Sequence, residues 1–302
     1  YSVEPNAPLP AELPLFRDLV DLYAVRPGGP APEAAYAVLG DRAERSVDGV
    51  LLDIEGVLMS SSAPLPGAAR TVDALRRRGL PIRFVTNTTS TPAARIAAGL
   101  IHAGIEVRAG ELVTAASVTA AYLREHHPDA RCLVLNDGTN ADLAGVRLAD
   151  PDDPTADVVV VGGGGPSFTW KQMNTALNCL LNGAALVAMH GAPVWHTPEG
   201  FCLDGAAYAR MLESASGVDA VVAGKPAPHM FLAAAQSTGA PPERLIMVGD
   251  DLESDVLAAQ ALGMVGVQVR TGKFRQQTLD RSPNAPDHVI DSIADLLSLI
   301  DA

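Results

Sequence analysis

The chain has 302 residues, 48% hydrophobic and 19% charged, a composition that suits one or two packed cores and excludes a disordered or fibrous polymer. Its 22 Lys and Arg against 35 Asp and Glu leave a net charge of −13, which repels nucleic acid and anionic membranes and points to small molecules or metal cations as partners. Cys132, Cys179 and Cys202 stand far apart with no CxxC pair, which argues against a disulfide framework or a structural zinc site and fits a reducing cytoplasm.

No apolar run approaches the roughly 18 residues of a membrane helix, and the opening residues lack the charged-then-apolar form of a secretory signal. Residues 1–45 are rich in proline and alanine and read as an extension without chemistry, with short amphipathic helices near 15–23 and 32–39. From residue 46 the pattern alternates. "DGVLLDIE" is predicted to be a buried strand, "PGAARTVDALRRRG" a helix opened by Pro66 and closed by Gly79, "PIRFVTNT" the next strand and "TPAARIAAGLIHAG" the next helix. Near-continuous apolar strands separated by helices predict a Rossmann-like, doubly wound parallel sheet. A second series of such units occupies 114–217, and 218–302 resumes the first rhythm. The expected organisation is a core from 46–113 and 218–302, interrupted by a smaller α/β cap at 114–217.

Four stretches place reactive side chains after predicted strands, where open parallel sheets bind their ligands. Asp53 follows a buried strand and precedes Glu55 and Gly56; alone, it would serve equally to cap a turn. Thr86 and Asn87 end the next strand, a hydroxyl and an amide able to donate to phosphate oxygens or to cap the following helix. "AGKPAP" holds Lys225 between a strand and a proline-started helix. "IMVGDDLESD" sets Asp250, Asp251 and Asp255 after four apolar residues, a crowding of like charge that costs stability unless a cation sits among them, or else a cluster that caps the following helix.

Taken in order, Asp-x-x-Gly, Thr-Asn, Lys-Pro and Gly-Asp-Asp-x-x-x-Asp resemble the four motifs of the haloacid dehalogenase superfamily. The resemblance covers 48–302, and "VRTGKF" together with the insertion resembles the subclass with the larger α/β cap. It implies a phosphatase in which Asp53 takes up the phosphoryl group and Mg²⁺ is held by Asp53, Asp250 and the main-chain carbonyl of Glu55. Thr86 and Lys225 would bind phosphoryl oxygens with Asn87 in support, and Asp251 and Asp255 would complete an acidic shell that orients Lys225. A cap-to-cap homodimer would be in keeping with that subclass.

One residue departs from the pattern. Most phosphatases of the superfamily carry aspartate at the position of Glu55, as general acid and base. The extra methylene moves the carboxyl by about 1.5 Å, and misplacement of that order costs about 100-fold in rate. The expected substrates are therefore small phosphorylated molecules with readily departing leaving groups: pyrophosphate, phosphoamidates or aryl phosphates. The alternatives are a phosphotransferase or mutase of the same fold, or a catalytically weak binding protein.

Weaker signals remain. "VVVVGGGGPSF" has Ser167 where a dinucleotide fingerprint needs a third glycine, so a turn in the cap is expected. Trp170 and Trp195 are expected to pack. In "TPEGFCLDGAAYARM", Asp204 would either select a cationic substrate group or cap the helix that follows.

Overall fold

The computed structural model describes residues 47–151, 153–197 and 200–301, so the expected extension and its two helices lie outside the described residues. In chain order the elements are β1 (Gly49–Asp53), β2 (Met59–Ser60), β3 (Ala63–Pro64), α1 (Ala68–Arg77), β4 (Ile82–Thr86), α2 (Ala93–His102), β5 (Leu112–Thr114), α3 (Ala115–His126), β6 (Arg131–Leu135), β7 (Arg147–Leu148) and β8 (Val158–Val161). They continue with α4 (Trp170–Leu181), β9 (Ala185–Ala188), β10 (Val194–Thr197), β11 (Gly200–Leu203), α5 (Gly205–Ser216), β12 (Ala220–Val222) and α6 (Pro228–Thr238). The last are β13 (Leu245–Gly249), a π-helical turn at Leu252–Leu257, α7 (Ala258–Gln260), β14 (Val265–Val269), α8 (Gln276–Arg281), β15 (His288–Ile290) and α9 (Leu296–Ile300).

The chain divides into two compact units. The first holds the described residues up to Thr86, Ala94–Val113 and those from Phe231 onward; the second holds Asn87–Ala93 and Thr114–Met230. The second unit thus contains the expected cap segment 114–217 together with 87–93 and 218–230.

In the first unit six strands lie in the order β15-β14-β13-β1-β4-β5. β1 pairs in parallel with β13 on one side and β4 on the other, and β13, β14 and β15 continue in parallel. Every residue of β1, β13 and β14 is buried, Gln268 and Asp53 included, and the rest are apolar or glycine, as a sheet covered on both faces requires. Strands later than β1 run outward to one side from β4 and to the other from β13. The order therefore reverses between β1 and β13, and the crevice beyond their carboxyl ends is the place where such sheets bind ligands.

The second unit has its own five-stranded sheet, β12-β9-β8-β6-β7, all parallel, with a core that includes Leu133, Val159, Met173 and Leu186. β10 and β11 form a separate antiparallel ribbon. The expectation that both tryptophans pack is corrected. Trp170 opens α4 a full turn before its first buried residue, Met173, and is 83% exposed; Trp195 lies on the ribbon and is 48% exposed. Among the described residues no helix is long and apolar enough to cross a membrane.

Candidate active site

β1 ends on Asp53, and Asp250 follows directly on the end of the neighbouring parallel strand β13, which brings both carboxylates to the same edge of the sheet. Asp255 joins them from the π-helical turn. One carboxylate oxygen from each of the three lies within 4.8 Å of the others, and all three residues are buried. Asp53 Oδ1 accepts a hydrogen bond from the Ile54 N–H at 2.8 Å, which fixes the plane of its carboxylate.

Three buried acids at this spacing oppose one another's charge. The Asp250 carboxyl is pushed up to about 8, first by burial and then by the charges of Asp53 and Asp255, with Lys273 acting in the opposite direction. Its Oδ2 accepts from the Lys273 N–H at 2.7 Å, whereas Oδ1 is buried and has no hydrogen-bond partner among the described residues. An all-carboxylate donor set with an unserved buried oxygen fits a hard divalent cation. Asp53, Asp250 and Asp255 are the residues able to hold it.

Glycines make the arrangement possible. Gly56 (φ 81°) and Gly272 (φ 61°) press their backbones against Asp250, and a Cβ on either would lie 2.0 Å from Asp250 Oδ2. Their left-handed conformations favour glycine as well. Gly249 admits Asp255 in the same way, since a Cβ there would stand 2.2 Å from that of Asp255.

Asp251 lies outside the triad and serves the turn. Its Oδ1 caps the Ser254 N–H at 3.1 Å, and its own N–H donates to Asp255 Oδ2 at 3.2 Å. Glu55 is exposed and also lies outside the triad, with Oε1 accepting from the Ser61 N–H at 2.9 Å in the turn between β2 and β3. Desolvation raises its carboxyl above the usual range and Asp53 adds to this, while the Ser61 bond and Lys273 oppose it. Thr86 is buried as the last residue of β4.

Asn87 and Lys225 belong to the second unit, where they are joined reciprocally. Asn87 Nδ2 donates to the Lys225 carbonyl at 3.1 Å, and the Lys225 N–H donates to Asn87 Oδ1 at 3.0 Å. Asp204 caps α5: its Oδ1 accepts from the N–H groups of Gly205 at 2.8 Å and Gly164 at 3.0 Å. The glycine run is a packed turn of the second unit, as expected. The Gly163 N–H donates to Thr89 Oγ1 and Asn136 Oδ1, and a Cβ at Gly165 would collide with Asp137.

Two features escape the motif pattern. Asp255 stands among the cluster's own ligand atoms, where an outer shell was expected. Lys273 reaches the cluster from the loop after β14, and that loop is tied to the first motif because the Thr271 hydroxyl donates to the Gly56 carbonyl. The signal available was positional: "TGK" follows an apolar strand, as the other three core motifs do.

Two family models match the chain, "haloacid dehalogenase-like hydrolase" over residues 50–146 and "HAD-hydrolase-like" over 222–296. The haloacid dehalogenase-like hydrolase domain-containing protein 2 of Homo sapiens is 34% identical over 258 residues, covering 82% of this chain and 97% of that protein. The phospholysine phosphohistidine inorganic pyrophosphate phosphatase of Rattus norvegicus is 32% identical over 260 residues, covering 84% and 94%. Among solved structures, the p-nitrophenyl phosphatase from Archaeoglobus fulgidus superposes with a TM-score of 0.76 at 26% identity, covering 84% of this chain and 99% of that one.

Proposed function

Since the chain belongs to the haloacid dehalogenase-like hydrolases and is an enzyme of the phosphatase type, we propose that it is a magnesium-dependent phosphatase in which Asp53 takes up the phosphoryl group of a small phosphorylated metabolite. The observation that carries this reading is the convergence of Asp53, Asp250 and Asp255 at the reversal point of the sheet.

An Asp53 carboxylate oxygen forms a bond to phosphorus as the bond to the leaving group breaks. Water then attacks the same phosphorus, releases inorganic phosphate and restores the carboxylate, so one hard displacement becomes two easier ones. Burial of Asp53 and the Ile54 hydrogen bond hold the nucleophile oriented and largely dehydrated. Asp53, Asp250 and Asp255 would hold a magnesium ion, which would supply positive charge against the transferring phosphoryl oxygens. Thr86, Asn87 and Lys225 enter the reading through their motifs, as donors to phosphoryl oxygens.

Glu55 selects among substrates. Its carboxyl favours the protonated state more than an ordinary glutamate does, yet the Ser61 N–H holds one of its oxygens in the hairpin turn. Leaving groups that depart without a strong acid suit such a site. The relatives named as a pyrophosphate phosphatase and a p-nitrophenyl phosphatase act on substrates of that kind.

A phosphate-release panel of pyrophosphate, phosphoamidates, aryl phosphates and sugar phosphates, with Mg²⁺ or with EDTA, tests this. We expect Mg²⁺-dependent release, fastest from the first three, with Asp53→Asn slower by at least about 1000-fold. Release unaffected by EDTA or by Asp53→Asn would overturn the reading.

A further inference from the structure

Lys273 has no role in the reaction described above, yet its backbone meets the acid cluster at Asp250 and its side chain meets the adjoining Asp251. Its N–H donates to Asp250 Oδ2 at 2.7 Å, and its half-exposed Nζ lies 3.4 Å from Asp251 Oδ2. Its ammonium therefore stands at the edge of the acid cluster. The same charge also lowers the proton affinity of Glu55.

The loop that carries the ammonium has little freedom. Gly272 sits against both Gly56 and Asp250, with a built Cβ 2.7 Å from Gly56 Cα, and the Thr271 hydroxyl clasps the Gly56 carbonyl. The contacts that position Asp250 therefore position Lys273 as well. The backbone of Lys273 is held against Asp250 itself, and its half-exposed side chain extends from that fixed point toward Asp251, beside the candidate cation site.

We propose that Lys273 is a resident counter-cation of the carboxylate cluster, balancing its charge when no divalent ion is bound and weakening the hold on that ion when one is. The proposal rests on the magnesium reading given above. Lys273 touches no reacting atom in it, so it is a positioning residue. A fixed positive charge repels an arriving cation through Coulomb's law, and half exposure leaves an effect on the order of tenfold in affinity.

Calorimetric titration of Mg²⁺ into the wild-type protein, Lys273→Gln and Lys273→Arg, with melting temperatures in EDTA, tests it. Lys273→Gln should bind Mg²⁺ about tenfold more tightly and melt lower in EDTA, Lys273→Arg should restore both, and the difference in affinity should shrink as salt rises. A purely structural lysine would lower the melting temperature without tightening Mg²⁺ binding, so an unchanged or weaker affinity in Lys273→Gln overturns the proposal alone. Absence of Mg²⁺ binding by the wild-type protein would instead overturn the metal reading and this one with it.

Discussion

Asp250 is enclosed by backbone from two loops, and substitutions at the enclosing glycines should register at the cluster. In Gly272→Ala the new methyl meets Asp250 Oδ2 at 2.0 Å in a conformation already unfavourable for alanine. We expect a loss of more than about 1 kcal/mol in urea denaturation, together with weakened Mg²⁺ binding. Gly79→Ala is the control: its φ is similarly positive at 75°, but nothing lies within 4 Å of a built Cβ, so its Mg²⁺ affinity should stay at the wild-type value. Asp53 and Asp250 could be singled out in the sequence because several motifs follow predicted strands in the same way, although Asp53 alone would serve equally to cap a turn. The place of Asp255 was not, since it depends on the π-helical turn and on the room left by Gly249. Lys273 was hidden for a similar reason: its partners lie 22 and 23 residues away and meet it only once two neighbouring strands are in register.

The elements are fastened to one another by a few polar contacts whose loss should be measurable. Arg76 near the end of α1 donates from both terminal nitrogens to Glu111 at 2.7 and 2.6 Å, and both side chains are largely buried. Arg76→Met would strand a buried carboxylate, so we expect a loss of about 3 kcal/mol in urea denaturation, with Mg²⁺ affinity unchanged. Asp204→Ala removes the cap of α5 and should cost about 1 kcal/mol; a change in substrate preference larger than the change in stability would assign Asp204 the selecting role as well. Strands β1, β8 and β13 could be read directly, because each is a short apolar run bounded by glycine or polar residues. The hairpin of β2 and β3 could not, since two-residue strands carry no periodicity. The segment "DLESDVLAAQ" is divided into a π-helical turn at Leu252–Leu257 and the short α7, and Asp255 lies in that turn.

For the whole molecule the acid cluster predicts a pH dependence of unusual sign. In the folded, metal-free protein Asp250 takes up its proton at about 8, whereas in the unfolded chain it does so near about 3.9. Between those values the folded state binds the extra proton, so stability should fall as pH rises from about 4 to about 8. Thermal melts in EDTA should show this slope, and Asp250→Asn should flatten it. Saturating Mg²⁺ should remove it and raise the melting temperature by several degrees at pH 8, as expected for a ligand that binds only the folded state. The fold class was legible at this scale because the strand and helix rhythm repeats twice, once in each unit. The edge of the second unit was harder to read, since Asn87 and Lys225 flank it in sequence and are joined only in space. The most direct test of the account is a crystal structure of the protein grown with Mg²⁺ and beryllium fluoride. A trifluoroberyllate adduct on an Asp53 carboxylate oxygen and an ion held by Asp53, Asp250 and Asp255 are expected; an unmodified Asp53 beside an empty cluster would contradict the magnesium-dependent phosphatase.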